Sequence, residues 1–495
     1  MPVRGLYLLF LFILGGGSIF AQKKTTSKID QLVTKSDAEA HLSFLAADEM
    51  RGRNTGSPEI DIAANYLAAQ FKLQGVKPVQ GASNGYFQPV ELVEIKAPAA
   101  AVFILGSDTF KLNNDLLFVS GGSIRQEKEV VFLGYGSMDD FSGTDVKGKI
   151  VVTYAGTRTT ANAVQAMLTD TPQKNQLAYS RGAAALIEIM AFPGLPWQGM
   201  VKFISGDRMI TSKDGVDTFP HLFMKNSEAP AIQNLLNSKK GTGSLYVKSN
   251  PNKVVKAKNV IGVIEGTDPV LRNEYIVLTA HYDHVGVKKN SSPDSIYNGA
   301  RDDGIGTVAL LQSANFLGKN PSKRSVVLLA VTGEEKGLLG SEWYANHPLL
   351  PLNQTVFNLN CDGAGYNDKT IVSIFDFNRT SVDEWVNQAC KAYELIPKGD
   401  PAPEQNLYER SDNVNFAVKG VPAMNFAPGV KAFDQELFLY YHQPADEVSS
   451  LDMDYLERYY RAFVFTATLI ANAPQRPVWK SGDRFEEAGK ILYGK

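Results

Sequence analysis

The chain has 495 residues, with 50 Lys and Arg against 52 Asp and Glu, a formal net charge of −2. That balance offers no basic surface for a nucleic acid, and a 44% hydrophobic share excludes global disorder and collagen-like repeats. Two cysteines, Cys361 and Cys390, exclude a disulfide-stapled scaffold and a four-cysteine zinc module, leaving open one bridge between them.

Residues 1–21 read MPVRGLYLLFLFILGGGSIFA: one basic residue, an apolar run from Leu6 to Leu14, then small residues up to Ala21. This is the grammar of a cleaved secretory signal, with an apolar run too short to span a bilayer. It predicts a secreted or periplasmic protein with no stable membrane insertion after cleavage. From Pro58 to Gln74, Ile60, Ala64, Leu67 and Phe71 recur at helical spacing and Gly75 follows as a stop. Near residue 116 the texture changes. VVFLGYG, KGKIVVTYAG and AAALIEIM read as strands between Gly, Asp and Ser turns.

From about residue 255 strands and helices alternate. The predicted strands are Asn259–Val263, Tyr275–Thr279, Val326–Val331, Val356–Leu359 and Ile371–Phe375, with a helix over Gly306–Leu317. Residues 451–471 close the pattern as a helix with Leu456, Tyr460, Phe463, Ala467 and Ile470 on its apolar face. Such alternation implies an α/β fold, a mostly parallel or mixed central sheet flanked by helices. The expected organisation is a signal over 1–21, a catalytic domain over 22–115 and 253–480, a β-rich insert over 116–252, and a tail over 481–495.

Two motif matches are decoys. GASNG, residues 81–85, fits G-x-S-x-G, but no apolar strand precedes Ser83 and no helix follows, so Ser83 is a turn residue. GTDVKGK, residues 143–149, fits G-x4-G-K, but Ile150 stands where a P-loop needs Ser or Thr, and a strand follows.

Acids and histidines gather at the carboxyl ends of the predicted strands, where open α/β sheets place ligands. The strand from Tyr275 runs into His281, Tyr282 and Asp283. A lone histidine there is usually structural, and Asp283 is placed to orient its imidazole. Asp302 and Asp303 open a helix, either as caps or as carboxylates presented to a metal. Glu334 and Glu335 end another strand and repel each other unless a cation is near. Asp362 emerges from an apolar strand, and His442 precedes the last helix.

Together these stretches, AHYDHVG, GARDDGIGTVALL, VTGEEKGLLGS, NLNCDGAG and YHQPAD, resemble the secreted bacterial leucyl aminopeptidase family of co-catalytic two-zinc exopeptidases. Relatives of that family include glutamate carboxypeptidase and the transferrin receptor ectodomain. HLSFLAADEMRGRNTGS resembles its amino-terminal segment, and GYGSMDDFSGTDVKGKIVV its protease-associated insert. The resemblance implies a hydrolase with two Zn²⁺ per chain, acting on peptide substrates. His281 and Asp362 would hold one zinc, Glu335 and His442 the other, and Asp302 would bridge them. Glu334 would be the general base for a metal-bridging hydroxide, Asp283 the supporting carboxylate, and Tyr441 a holder of the oxyanion. Charge agrees: three carboxylates and a hydroxide balance two dications. Two positions depart from the pattern. Arg301 stands where Asp or a small residue is usual, and Asn413 follows Ser411-Asp412 where His is common.

The activity implied is removal of amino-terminal residues. The alternatives are a carboxypeptidase, with Arg301 or Arg410 holding a terminal carboxylate, and a single-zinc glutaminyl cyclase on the same fold. From another class comes a non-catalytic, receptor-like binding protein. All five ligand positions are filled, which the last two would not require.

Overall fold

The structure, a computed structural model, describes residues 22–160, 163, 166–192, 196–212, 218–288, 294–375 and 377–494. The leader expected over 1–21 lies outside the described residues. The chain forms two compact units, one from residues up to Val90 and from Lys256 onward, the other Glu91–Val255.

Helix α1 (Lys35–Leu45) starts where Thr34 accepts the Asp37 N–H, and it buries Ala38, Leu42 and Leu45. Helix α2 (Pro58–Leu73) is the one predicted from spacing. Ser57 caps it, Pro58 occupies its first turn, and Ile60, Ala64, Leu67 and Phe71 are buried. Strand β1 (Phe87–Ile95) begins in the first unit and ends in the second.

The second unit holds an eight-stranded sheet. Its strands are β2 (Ala100–Leu105), β3 (Asp108–Lys111), β4 (Leu116–Ser120), β5 (Ile124–Phe132), β6 (Ile150–Tyr154) and β7 (Ala185–Met190), followed after β8 (Arg208–Thr211) by β9 (His221–Lys225) and β10 (Lys240–Lys248). Their order is β3-β2-β10-β5-β6-β7-β9-β4, and β8 pairs instead with Leu92–Ile95 of β1. Helix α3 (Thr171–Ser180) lies between β6 and β7. This unit takes in residues 91–115, ahead of the boundary expected at 116. The physical reason is the pairing of β2 along its whole length with β10, some 140 residues later in the chain, which no local texture reveals. The GTDVKGK stretch is the turn before β6, and Ser83 in the first unit is a turn residue bonded to Phe87.

The chain returns with β11 (Lys253–Ile264) and β12 (Tyr275–His281), then the short pair β13 (Gly286–Val287) and β14 (Ile296–Tyr297). Next come α4 (Ile305–Lys319), β15 (Ser325–Val331), α5 (Leu339–Asn346), β16 (Thr355–Asn360), β17 (Ile371–Ile374), β18 (Ile396–Lys398), β19 (Ala423–Pro428) and α6 (Met453–Asn472). All five predicted strands of this half form; β18 and β19 were not anticipated. Within the first unit the sheet order is β18-β17-β19-β16-β12-β15-β11-β1. Its centre is parallel: β12 pairs with β15 and β16, and β16 with β19, while β11 runs antiparallel to β15. Every residue of β15 and β16 is buried, which is why both read as unbroken apolar runs.

Helix α6 buries Leu456, Tyr460, Phe463, Ala467 and Ile470 completely and packs on α4. Each large apolar side chain so buried contributes about 1.5–3 kcal/mol. Residues after 480, expected as a tail, include a helix over Glu486–Tyr493 whose Tyr493 hydroxyl donates to the Thr355 carbonyl at 2.6 Å. Cys361 and Cys390 are both buried and unbridged. No helix among the described residues is long and apolar enough to cross a membrane.

Candidate metal centre

The parallel register of β12, β15 and β16 aligns their carboxyl ends, so the side chains that follow converge. His281 closes β12 with its ring fully buried. Its Nδ1 donates to the Asp283 backbone carbonyl at 3.1 Å, which fixes the tautomer and turns Nε2 toward the cluster. There Nε2 stands 3.2 Å from Asp302 Oδ1, 3.3 Å from Asp362 Oδ1 and 3.9 Å from Glu334 Oε2. On the other side of Asp302, His442 Nε2 lies 3.1 Å from Asp302 Oδ2 and 3.1 Å from Glu335 Oε2. Asp302 therefore offers one oxygen to each imidazole.

These spacings describe two cups. Donor atoms about 2.0–2.1 Å from a tetrahedral zinc stand about 3.3 Å from one another. The donors of His281, Asp302 and Asp362 form one such group, and those of Asp302, Glu335 and His442 belong to another. His281 Nε2 and Glu335 Oε1 are buried without any hydrogen-bond partner, a costly condition for polar atoms unless a cation takes them up. The donor set, imidazole and carboxylate without thiolate, suits zinc.

The surroundings hold each donor from behind. The Asp302–Asp303 peptide is cis. The two readings of this acidic pair divide between its members: Asp303 accepts the Gly306 and His281 N–H groups at 2.9 and 3.2 Å, while Asp302 faces the cups. Gly306 has no room for a side chain, since a Cβ there would meet the Cys361 carbonyl oxygen at 2.1 Å. Asp446 accepts the backbone N–H groups of Arg301 and Asp302 at 2.7 and 3.2 Å. Asp362 accepts from the Ser411 hydroxyl, and its backbone pairs with the Asn425 amide in both directions. His442 sits at φ +53°, a left-handed conformation uncommon outside glycine.

Two expectations change, and one departure finds its place. Asp283 supports His281 through its backbone carbonyl, not its carboxylate, which is 3.8 Å from Nδ1. That carboxylate instead accepts the Thr55 hydroxyl at 2.9 Å and the Glu334 N–H at 3.2 Å, so it positions Glu334. Arg301 is no free cation. Its guanidinium donates to Ser450 and the Tyr366 carbonyl, and it lies over the Tyr440 and Tyr366 rings at 3.9 and 4.5 Å. Asn413 is buried, donating to the Tyr408 carbonyl at 3.1 Å rather than facing the cups.

Tyr441 lies beside the second cup, its ring 4.3 Å from that of His442 and its hydroxyl 3.3 Å from Arg410 Nη2. Burial, reinforced by Asp362 and Glu335 against the pull of His281, holds the Glu334 carboxyl well above its ordinary pKa. His442 goes the other way from a simple buried imidazole. Burial lowers its pKa, but Asp302 and Glu335 outweigh that and raise it to about 10. A dication in the cups would reverse both effects.

Sequence reasoning missed His284, inside AHYDHVG, and Arg53 and Thr55, inside RGRNTGS. Arg53 is 1% exposed and donates to the carbonyls of Leu45, Tyr282, Asn298 and Gly299 at 2.6–2.9 Å.

Residues 259–467 match peptidase family M28. Aminopeptidase YwaD of Bacillus subtilis is 26% identical over 328 residues, 66% of this chain and 63% of that protein. A vacuolar membrane protease of Verticillium alfalfae is 39% identical over 117 residues, 23% of this chain and 10% of that protein. This chain thus spans less than two thirds of the length of either relative. The solved aminopeptidase from Aneurinibacillus sp. strain AM-1 has the same fold, with a TM-score of 0.55 and 21% identity over 92% of this chain and 98% of that one. The likeness to peptidase family M28 thus covers residues 259–467, less than half of this chain.

Proposed function

We propose that this chain is an exported zinc aminopeptidase that uses two metals per chain. One observation carries the reading: the two oxygens of Asp302 each face the imidazole of a different donor group, His281 on one side and His442 on the other. A carboxylate shared in this way is what a two-metal site requires. His281 and Asp362 complete one position, Glu335 and His442 the second. Two zinc ions, when bound, would polarise the scissile carbonyl and acidify a water.

The protein's own groups do the rest. Glu334 is held by the Asp283 carboxylate through its backbone N–H, faces the first group, and takes the proton of the attacking water. The same carboxyl then returns that proton to the leaving amine. The Tyr441 hydroxyl, beside the second group, donates to the developing oxyanion. Acid in excess of local cations also suits a protonated substrate amine, with Glu334 and Asp362 as its partners. The second unit, Glu91–Val255, corresponds in this reading to the protease-associated insert. Export rests on the leader-like residues 1–21.

Free, amino-acetylated and carboxyl-amidated versions of one peptide test the reading. Acetylation should leave an ionic partner unpaired and cost about 2–4 kcal/mol, roughly 30- to 1000-fold in kcat/KM. Equal rates on free and acetylated peptides would rule out the aminopeptidase. A carboxypeptidase stays as the second reading because Arg410 keeps a cation at Tyr441. It would show in sensitivity to amidation instead. Ammonia release from amino-terminal Gln without cleavage would mark the cyclase.

A further inference from the structure

His284 ends in the same cluster. Its backbone N–H donates to the Arg53 carbonyl at 3.2 Å. Gly299 lies against its ring at φ +63°, so close that a Cβ there would stand 2.6 Å from His284 Cγ and Cδ2. Arg53 holds the carbonyls of Asn298 and Gly299, so the strap over the ring is itself pinned. The ring is completely buried, edge-on to His442 at 5.5 Å, with Nδ1 2.7 Å from Glu335 Oε1.

Neither ring nitrogen of His284 makes a hydrogen bond, and neither does Glu335 Oε1. A structural histidine in a core satisfies its N–H, as His281 Nδ1 does on the Asp283 carbonyl. A histidine that merely oriented Glu335 would align its N–H with the carboxylate, yet this approach lies off that line. Ligand atoms from His284, Asp302, Glu335 and His442 all fall within 4.8 Å of one another.

We infer that His284 is a further protein donor to the metal position formed by Asp302, Glu335 and His442. The inference rests on the two-metal reading above. It makes the two positions unequal, with three protein donors at the first and four at the second. The second position therefore holds its metal more tightly.

The test uses the full-length protein with zinc and with cobalt(II). Chelator titration of the wild type, followed by elemental analysis, should release metal in two steps. In His284→Asn the more resistant step should weaken by at least ~10²-fold, beyond the usual effect of losing an outer partner. In His284→Cys loaded with cobalt, a thiolate-to-cobalt charge-transfer band should appear in the near ultraviolet, absent from the wild type. Circular dichroism checks that each variant is folded. X-ray absorption of the zinc-loaded wild type needs no variant at all, and should fit three imidazoles shared by two metals. A wild-type spectrum fitting two imidazoles, a folded cobalt-loaded His284→Cys without the band, or unchanged metal release in His284→Asn would each overturn the inference while leaving two metals in place. A wild type that binds fewer than two metals would overturn the two-metal reading and this inference with it.

Discussion

Each unit buries a cluster of charge, and the two clusters are resolved in opposite ways. In the second unit Glu188 is wholly buried, yet both its oxygens are met. Lys174 Nζ lies 2.6 Å from one and His221 Nε2 2.9 Å from the other. Lys174 also donates to the Tyr154 and Gly156 carbonyls. In the first unit Asp302, Glu334, Glu335 and Asp362 crowd around His281 and His284, where His281 Nε2 and both ring nitrogens of His284 have no hydrogen-bond partner. A buried acid with its own cation is compensated inside the fold, even though His221 Nδ1 itself finds no hydrogen-bond partner. Buried acids in excess of cations, with orphaned donors aimed at one place, call for an ion from outside.

Metal removal breaks the comparison most sharply. Dialysis against a strong chelator should abolish activity and lower the melting midpoint of the first unit, because an ion that binds only the folded state stabilises it. Zinc should restore both, and calorimetry should leave the transition of the second unit unmoved. Full activity in a metal-free preparation would contradict the account.

Substitution within the acid pair is next in size. Glu334→Gln should lower kcat by at least ~10²-fold with metal content kept. Glu335→Gln should instead lose metal, as elemental analysis would show. If the two variants exchange these behaviours, base and ligand are reversed.

The compensated cluster should respond in stability alone. Lys174→Met leaves Glu188 buried without its lysine and should cost about 3–5 kcal/mol of unfolding free energy in urea, with metal content unchanged. A loss of metal on that substitution would undo the contrast between the units.

The smallest effect is one of pH. Burial alone would raise the Glu188 pKa, but the His221 hydrogen bond and the Lys174 charge outweigh it and hold it below the ordinary 4.5. The folded state therefore binds this proton less readily than the unfolded chain. The stability it contributes is full above about pH 4.5 and is lost as pH falls through the lowered value. Acid unfolding of Glu188→Gln should lack that dependence, and an unaltered acid limb would argue against it.

The fold was legible in its apolar runs, and the five side chains gathered at the cups were singled out by their places at strand ends and helix starts together with the family resemblance. A parallel sheet buries whole strands, so β12, β15 and β16 stand out as apolar runs, and the acids and histidines just past them stand at strand ends. What stayed hidden depends on the path of the backbone after each strand. That path decides that Asp283 presents its carbonyl to His281, and that His284 turns inward beside it. Arg53 and Thr55 lie more than 200 residues from the loops they hold, and nothing local distinguishes a buried arginine from an exposed one. Arg301 was recognisable as a departure, but its sandwich between Tyr366 and Tyr440 needs the loops in place. β18, three residues long, and β19, ending in Pro428, carry too little pattern to read.

Anomalous scattering from crystals grown with zinc would locate the metals themselves. Two peaks about 3.5–4 Å apart are expected, one on each side of the Asp302 carboxylate, the first against His281 and Asp362 and the second against Glu335 and His442. A single peak, or zinc bound away from Asp302, would contradict the two-metal reading.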